Sequence, residues 1–171
     1  MIESFLIGTA GSLTASFAFI YFLFFYHRPE LRISPSIAKR TNEQGSALYT
    51  FKVTNATSYP LVDINFELVL STPRNIPGGQ INDTEILSTH QRFTLDAKEQ
   101  PFEPFGNETS LTYVNLETKW TSEEQYLELR VLVRHGLTQF SRVFSQSYRH
   151  KSTCIHLGQF ENGSFRVIGE G

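Results

Sequence analysis

The 171-residue chain has a single cysteine, Cys154, so it cannot close a disulfide within itself, and a metal site built on several thiolates is excluded. A reducing compartment suits such a chain. It also lacks an excess of one charge: 15 Lys and Arg against 17 Asp and Glu leave a formal net charge of -2, and no global basic field points to nucleic acid. Basic residues form no stripe interleaved with aromatics within the body of the chain, so no nucleic-acid partner is expected. The five histidines (His27, His90, His135, His150 and His156) never stand at the i, i+4 spacing of a zinc helix. Gly-x-Ser-x-Gly is missing, Gly78-Gly79 lacks the Lys-Ser/Thr of a phosphate loop, and Glu123-Glu124 beside Thr121-Ser122 reads as a solvated turn. No internal repeat is visible. The expectation is a non-enzyme, with no catalytic residue, no metal ligand and no cofactor.

What is present begins with an uncharged, mostly apolar run from Phe5 to Tyr26. As a helix it rises roughly 33 Å at 1.5 Å per residue, enough for a hydrocarbon core about 30 Å thick. A cleaved signal peptide would put its basic end first and finish on small residues; here Glu3 comes first and Phe22-Leu23-Phe24-Phe25-Tyr26 closes the run. Arg28, Arg32, Lys39 and Arg40 follow it. By the positive-inside rule the N-terminus lies outside and the remainder in the cytosol, a single pass through the cell (inner) membrane. The same four bases, beside Tyr21 and Tyr26, suit anionic headgroups at about 1 kcal/mol each near the surface, or serve only to set topology. Gly8, Ser12 and Ser16 recur every four residues with Gly11 and Ala15 alongside. Small residues at that spacing let helices approach closely, so this face is expected to pack against another helix or to face a pore.

Past Pro29 the period changes from helix to strand. Val62, Ile64, Phe66, Leu68 and Leu70 alternate with Asp63, Asn65 and Glu67; Tyr49, Phe51 and Val53 alternate before them; Leu127, Leu129, Val131 and Val133 alternate with Glu128, Arg130 and Arg134 later. His135-Gly136 reads as a tight turn into Thr138, Phe140, Arg142 and Phe144, with short strands expected around Cys154–Phe160 and Ser164–Ile168. Thr72–Asn82, holding Pro73, Pro77, Gly78 and Gly79, reads as a long loop, and Asp96–Asn107 as a second irregular segment. The fold class expected is all-β, an antiparallel sandwich on one N-terminal transmembrane α-helix. The divisions are a helix over 1–27, a basic juxtamembrane linker and strand over 28–40, and a cytosolic sandwich over 41–171. Asn-x-Ser/Thr triplets at Asn55, Asn82, Asn107 and Asn162 would argue for an exported domain, but such triplets arise often by chance in a chain rich in Ser and Thr, and the charge asymmetry outweighs them.

Three stretches together resemble the inward-rectifier potassium channels, from the end of the inner helix through the cytoplasmic domain. Gly8 to Phe25 followed by His27-Arg-Pro-Glu-Leu-Arg-Ile-Ser-Pro-Ser-Ile-Ala38 is similar to the inner helix, the Arg-Pro step and the strand after it. Leu48-Tyr-Thr-Phe-Lys-Val-Thr-Asn55 with Leu61-Val-Asp-Ile-Asn-Phe-Glu-Leu68 resembles the leading hairpin. Leu127-Glu-Leu-Arg-Val-Leu-Val133, Gly136, Ser147-Tyr148 and Ile155-His-Leu-Gly-Gln-Phe160 resemble the closing strands. The resemblance implies an immunoglobulin-like sandwich that assembles as a cytosolic homo-tetramer. The outer helix, the pore helix and the Gly-Tyr-Gly filter have no counterpart in the sequence, and that filter's carbonyl rings are what select potassium. The family's "W-x-x-x-H-x-I" stretch is not recognisable between Phe102 and Tyr126. Of the family's lipid-contacting bases, only the neighbourhood of Arg28 and Arg32 matches.

The function expected is therefore a membrane protein whose cytosolic domain oligomerises or senses a ligand, and forms or gates a poorly selective pore. The alternative is a non-conducting, membrane-anchored binding module or auxiliary subunit that recruits a protein partner.

Overall fold

The computed structural model describes residues 2–97, 108–114 and 116–169. Helix α1 (Ile2–Tyr26) is followed by strands β1 (Leu31–Ile33), β2 (Ile37–Thr41), β3 (Ala47–Asn55), β4 (Leu61–Ile76), β5 (Gly79–Leu95) and β6 (Glu108–Val114). A 3₁₀ turn (Leu116–Thr118) precedes β7 (Tyr126–His135) and β8 (Ser141–Tyr148), and the chain closes with α2 (Lys151–Cys154), β9 (Ile155–Leu157), β10 (Gln159–Phe160) and β11 (Val167–Ile168). The protein is mostly strand with one long N-terminal apolar helix, as the change of period after Pro29 implies.

The strands form two main sheets. In one, β1 and then β2 pair antiparallel along one edge of β3, β6 lies along the other edge, and β9 adds to β2 in parallel. The other is wholly antiparallel in the order β5-β4-β7-β8. Both sheets feed one core: Tyr49, Phe51 and Val53 from β3 meet Phe66, Leu68 and Leu70 from β4 and Leu127, Leu129, Val131 and Val133 from β7, with Trp120 and Tyr148 closing it. Each fully buried aliphatic or aromatic side chain contributes about 1.5–3 kcal/mol of transfer free energy. Two aromatic polar atoms that enter this core are satisfied by backbone carbonyls. Tyr148 Oη donates to the Ser34 carbonyl at 2.7 Å, and Trp120 Nε1 to that of Gln125 at 2.9 Å.

The alternation along β7 holds residue for residue, but β4 departs from it at one end. Leu61 is buried and Val62 is not, because two residues of β4, Asp63 and Ile64, stand opposite Val133 alone between the Val62↔Arg134 and Asn65↔Leu132 pairs. This bulge puts Asp63 at φ +50° and shifts the inward face by one position.

The segment Thr72–Asn82 is not a loop. It is the tip of a long hairpin in which Ile76 pairs with Gly79 across a two-residue turn, Pro77-Gly78. Proline presets the first turn position, and Gly78 at φ +101° occupies the second, which a side chain would strain. Pro73 is tolerated in β4 because pairing with β7 stops at Ser71, leaving one side of the strand without ladder partners. Turn chemistry was thus read as breaking a strand when it reverses one.

Asp96 and Ala97 are irregular, as expected; the rest of the Asp96–Asn107 segment lies outside the described residues. Thr138 and Phe140 belong to the turn, since β8 starts at Ser141. Cys154 ends the short α2 rather than opening a strand, and of Ser164–Ile168 only Val167 and Ile168 are paired. Lys52 covers the C-terminal segment's footing: although a lysine, it is 2 % exposed, and its Nζ donates to the carbonyls of Glu161 and Ser164 at 2.6 and 2.8 Å.

Candidate functional site at the membrane junction

Residues Leu6–Phe25 of α1 are long and apolar enough to cross a membrane, and none of this stretch is buried among the described residues. Gly8, Gly11, Ser12, Ala15 and Ser16 are all exposed on this helix. A Cβ built on Gly8 or Gly11 would meet nothing within 4 Å, so no described part of the chain packs on the two glycines. Ser16 Oγ donates back to the Ser12 carbonyl at 2.9 Å and Thr14 Oγ1 to that of Ala10 at 2.9 Å, which satisfies both hydroxyls inside the helix.

At its C-terminal end α1 is held by the β7–β8 turn. The Phe24 and Phe140 rings stack with centroids 4.5 Å apart at 18°, and Thr138 Oγ1 donates to the His27 carbonyl at 3.0 Å. Beneath them, Gly136 N donates to the Pro60 carbonyl at 2.9 Å. A Cβ on residue 136 would lie 2.8 Å from that same oxygen, so the position requires glycine. The His27 ring packs edge-on against Phe22, Tyr59 and His135. His135 is fully buried; burial first, and the neighbouring His27 second, hold its pKa below the ordinary imidazole value.

Beside this joint lies an open cleft of 400 Å³ with an aromatic wall of Phe24, Phe25 and Phe140 and a rim bearing Arg28 and Arg142. No carboxylate lines it among the described residues. Two exposed guanidiniums beside an apolar aromatic wall, at the end of a segment long and apolar enough to cross a membrane, have the chemistry to hold an acidic headgroup with its upper acyl chain. Of the four bases that follow the helix in sequence, the structure brings only Arg28 to this cleft. Lys39 is turned to the 3₁₀ turn, where it pairs with Glu117 at 2.5 Å and, through that hydrogen bond, is the main cause of the carboxyl's lowered pKa. Arg32 and Arg40 are exposed on β1 and β2. Arg142 was not foreseen as an interface residue. The alternation of Phe140, Arg142 and Phe144 signalled its strand, but only the fold sets it beside Arg28.

The triplet at Asn55 is structural. Asn55 is fully buried, its Nδ2 donates to the carbonyls of Tyr59, Leu95 and Asp96, and its Oδ1 accepts from the backbone and hydroxyl of Thr57. Thr57 is thus part of a turn that pins the β3–β4 loop to the end of β5, and the Asn-x-Thr spacing follows from that turn. Asn82 and Asn162 are exposed; Asn107 lies outside the described residues.

No family model matches the chain, and no curated protein matches it. Among solved structures it is similar to the sporulation control protein Spo0M from Bacillus subtilis, at 10 % identity and a TM-score of 0.39, covering 71 % of this chain and 48 % of that one. It is also similar to a GH3 beta-glucosidase from Bifidobacterium adolescentis, at 14 % identity and a TM-score of 0.32, covering 69 % of this chain and 17 % of that one. The chain spans about half the length of the first and under a fifth of the second.

Proposed function

We propose that the protein is a single-pass membrane protein whose cytosolic domain, an immunoglobulin-like sandwich of the inward-rectifier cytoplasmic type, assembles with copies of itself and draws their helices into a poorly selective pore. The observation that carries this reading is α1 itself: a helix of membrane-crossing length with no part of its apolar stretch buried, docked on the β domain only at its end, and with an exposed face of Gly8, Gly11, Ser12, Ala15 and Ser16. Lipid packs on Leu and Phe as well as protein does, so the small-residue face is where helix–helix contact gains most. Arg28 and Arg142, which line the same cleft as Phe24, Phe25 and Phe140 at the inner end, fix the depth of the helix on anionic headgroups. Four copies is the number that the likeness to inward rectifiers implies, and no filter would restrict the ion that passes.

The test is dye or ion leakage from liposomes carrying the purified full-length protein. Leakage that Gly8→Leu with Ser12→Leu abolishes, without loss of insertion, supports the pore. Intact gradients around an inserted, oligomeric protein refute it.

A non-conducting anchored module that recruits a partner is favoured by a different observation. The 17-residue β5 is an edge strand exposed over most of both faces, with Phe93 87 % exposed. Such an edge is a template for another strand. Replacing α1 by an unrelated anchor would preserve function under this reading and destroy it under the first.

A further inference from the structure

The β7–β8 turn is organised around one residue. His135 N donates to the Phe140 carbonyl at 2.8 Å and Gln139 N donates to the His135 carbonyl at 2.9 Å. The imidazole does the rest: Nδ1 accepts from the backbone N–H groups of Leu137 and Thr138, each at 3.3 Å. An Nδ1 that accepts carries no proton, so the neutral ring holds its proton on Nε2, and that atom is buried with no hydrogen-bond partner. A second proton has one place to go, Nδ1, where two N–H groups already point. His27 stands 6.0 Å away, ring to ring, with its own Nδ1 buried and without a partner.

Among the described residues, no acidic group acts on His135 to favour a positive charge there. From the β3–β4 loop it faces Tyr59 and Pro60, both uncharged. The charged groups on the surrounding elements are Arg28 and Glu30 on the linker, Asp96 after β5, Arg142 on β8, and Arg134, which pairs with Asp63 at 2.9 Å; all are exposed. The nearest ionisable neighbour by influence is His27, and it opposes a charge on His135.

We propose that His135, with His27 beside it, makes the joint between helix and β domain an acid-released latch. With both rings neutral the turn holds Thr138 on the His27 carbonyl and Phe140 on Phe24. A proton on His135 Nδ1 breaks the two bonds to Leu137 and Thr138, expels the ring, and frees the end of α1 from the domain. The latch concerns the joint alone and stands whether or not the helices conduct.

The sign follows from linkage. A base whose pKa is lower folded than unfolded binds fewer protons in the docked state, so docking weakens as pH falls below about 6.5 and is intact above it. The experiment is hydrogen–deuterium exchange on the full-length protein in lipid nanodiscs from pH 7.5 to 5, with exposure times scaled to the intrinsic rate. Protection of the Leu137 and Thr138 amides should fall about tenfold per pH unit once the release is under way, as one proton requires, while Val131 in mid-β7 keeps its protection. His135→Asn supplies an oxygen that can take the same two bonds and does not titrate, so its turn should stay protected at pH 5. His27→Gln removes the opposing neighbour, brings the docked pKa of His135 closer to its undocked value, and should therefore weaken the acid release and move it to lower pH.

Unchanged protection of the turn across the range would overturn the latch. So would loss at Val131 in step with the turn, which is global acid unfolding, or an acid release that survives in His135→Asn. Should that variant not fold, the His27→Gln shift decides, and a release at unaltered pH refutes the pair.

Discussion

Helix α1 and strand β3 are built from similarly apolar side chains, yet one is covered by its own chain and the other is not. Phe17 and Phe19 on α1 are 70 % and 61 % exposed, whereas Tyr49 and Phe51 on β3 are not exposed at all. The difference lies in the period of the pattern and not in its strength. In β3 the apolar residues recur every second position and meet the facing sheet. In α1 they surround the helix on all sides, and no single protein surface could cover them. The two regions call for different surroundings: β3 has the interior of its own domain, and α1 is long and apolar enough for hydrocarbon.

That contrast can be broken from either side. Lysines in place of Leu13 and Phe17 near the middle of α1 cost about 2.5–3.5 kcal/mol each in hydrocarbon, so the protein should move to the soluble fraction on ultracentrifugation while its β-sheet circular dichroism is retained. Phe51→Ala should do the reverse. The cavity costs about 3–5 kcal/mol and lowers the melting temperature by roughly 10–20 °C, yet the chain still sediments with membranes. If either substitution changes both properties together, the two regions are not independent.

Asn55→Ala tests a smaller link between loop and core. It leaves the carbonyls of Tyr59, Leu95 and Asp96 without their shared donor and should cost at least about 2 kcal/mol in a denaturant titration. At the boundary between the two regions, Arg28→Ala with Arg142→Ala should weaken binding of the detergent-solubilised protein to vesicles of anionic lipid by about 1 kcal/mol per charge removed, with no change for vesicles of zwitterionic lipid. The smallest effect belongs to Lys39→Gln. Lys39 lowers the Glu117 carboxyl below its ordinary value of 4.5, so the pair's stabilisation is present above that pH and is lost as pH falls through the lower folded value. The wild type should therefore melt slightly above the variant at pH 5 and higher, and that advantage should shrink as pH falls below 4.5.

The parts of this fold that were legible are those set by near neighbours. Length and lack of charge give α1, and two-residue alternation gives β3, β7 and the inner part of β4, because each pattern is read over a few adjacent positions. Where a local signal admitted two outcomes, the reading failed. Pro73, Pro77, Gly78 and Gly79 suit a loop as well as a hairpin tip, and the choice is made by the pairing of β4 with β5, which depends on residues up to Leu95. Val62 was misplaced because a bulge at Asp63 changes the phase without changing the composition. Lys52 is buried by two carbonyls more than a hundred positions away, which no neighbouring residue announces.

By itself, then, the sequence settled that a helix of membrane length precedes a β domain, since hydrophobic period and run length are properties of contiguous residues. It placed Arg28, Arg32, Lys39 and Arg40 after that helix from the same reasoning, without separating one from another. The tertiary structure alone decided what meets the end of that helix: Phe140 on Phe24, Arg142 beside Arg28, and Thr138, set in a turn built on His135, on a carbonyl 111 positions earlier. Such contacts are fixed by packing and hydrogen-bond satisfaction between segments far apart in the chain, and no local pattern encodes them.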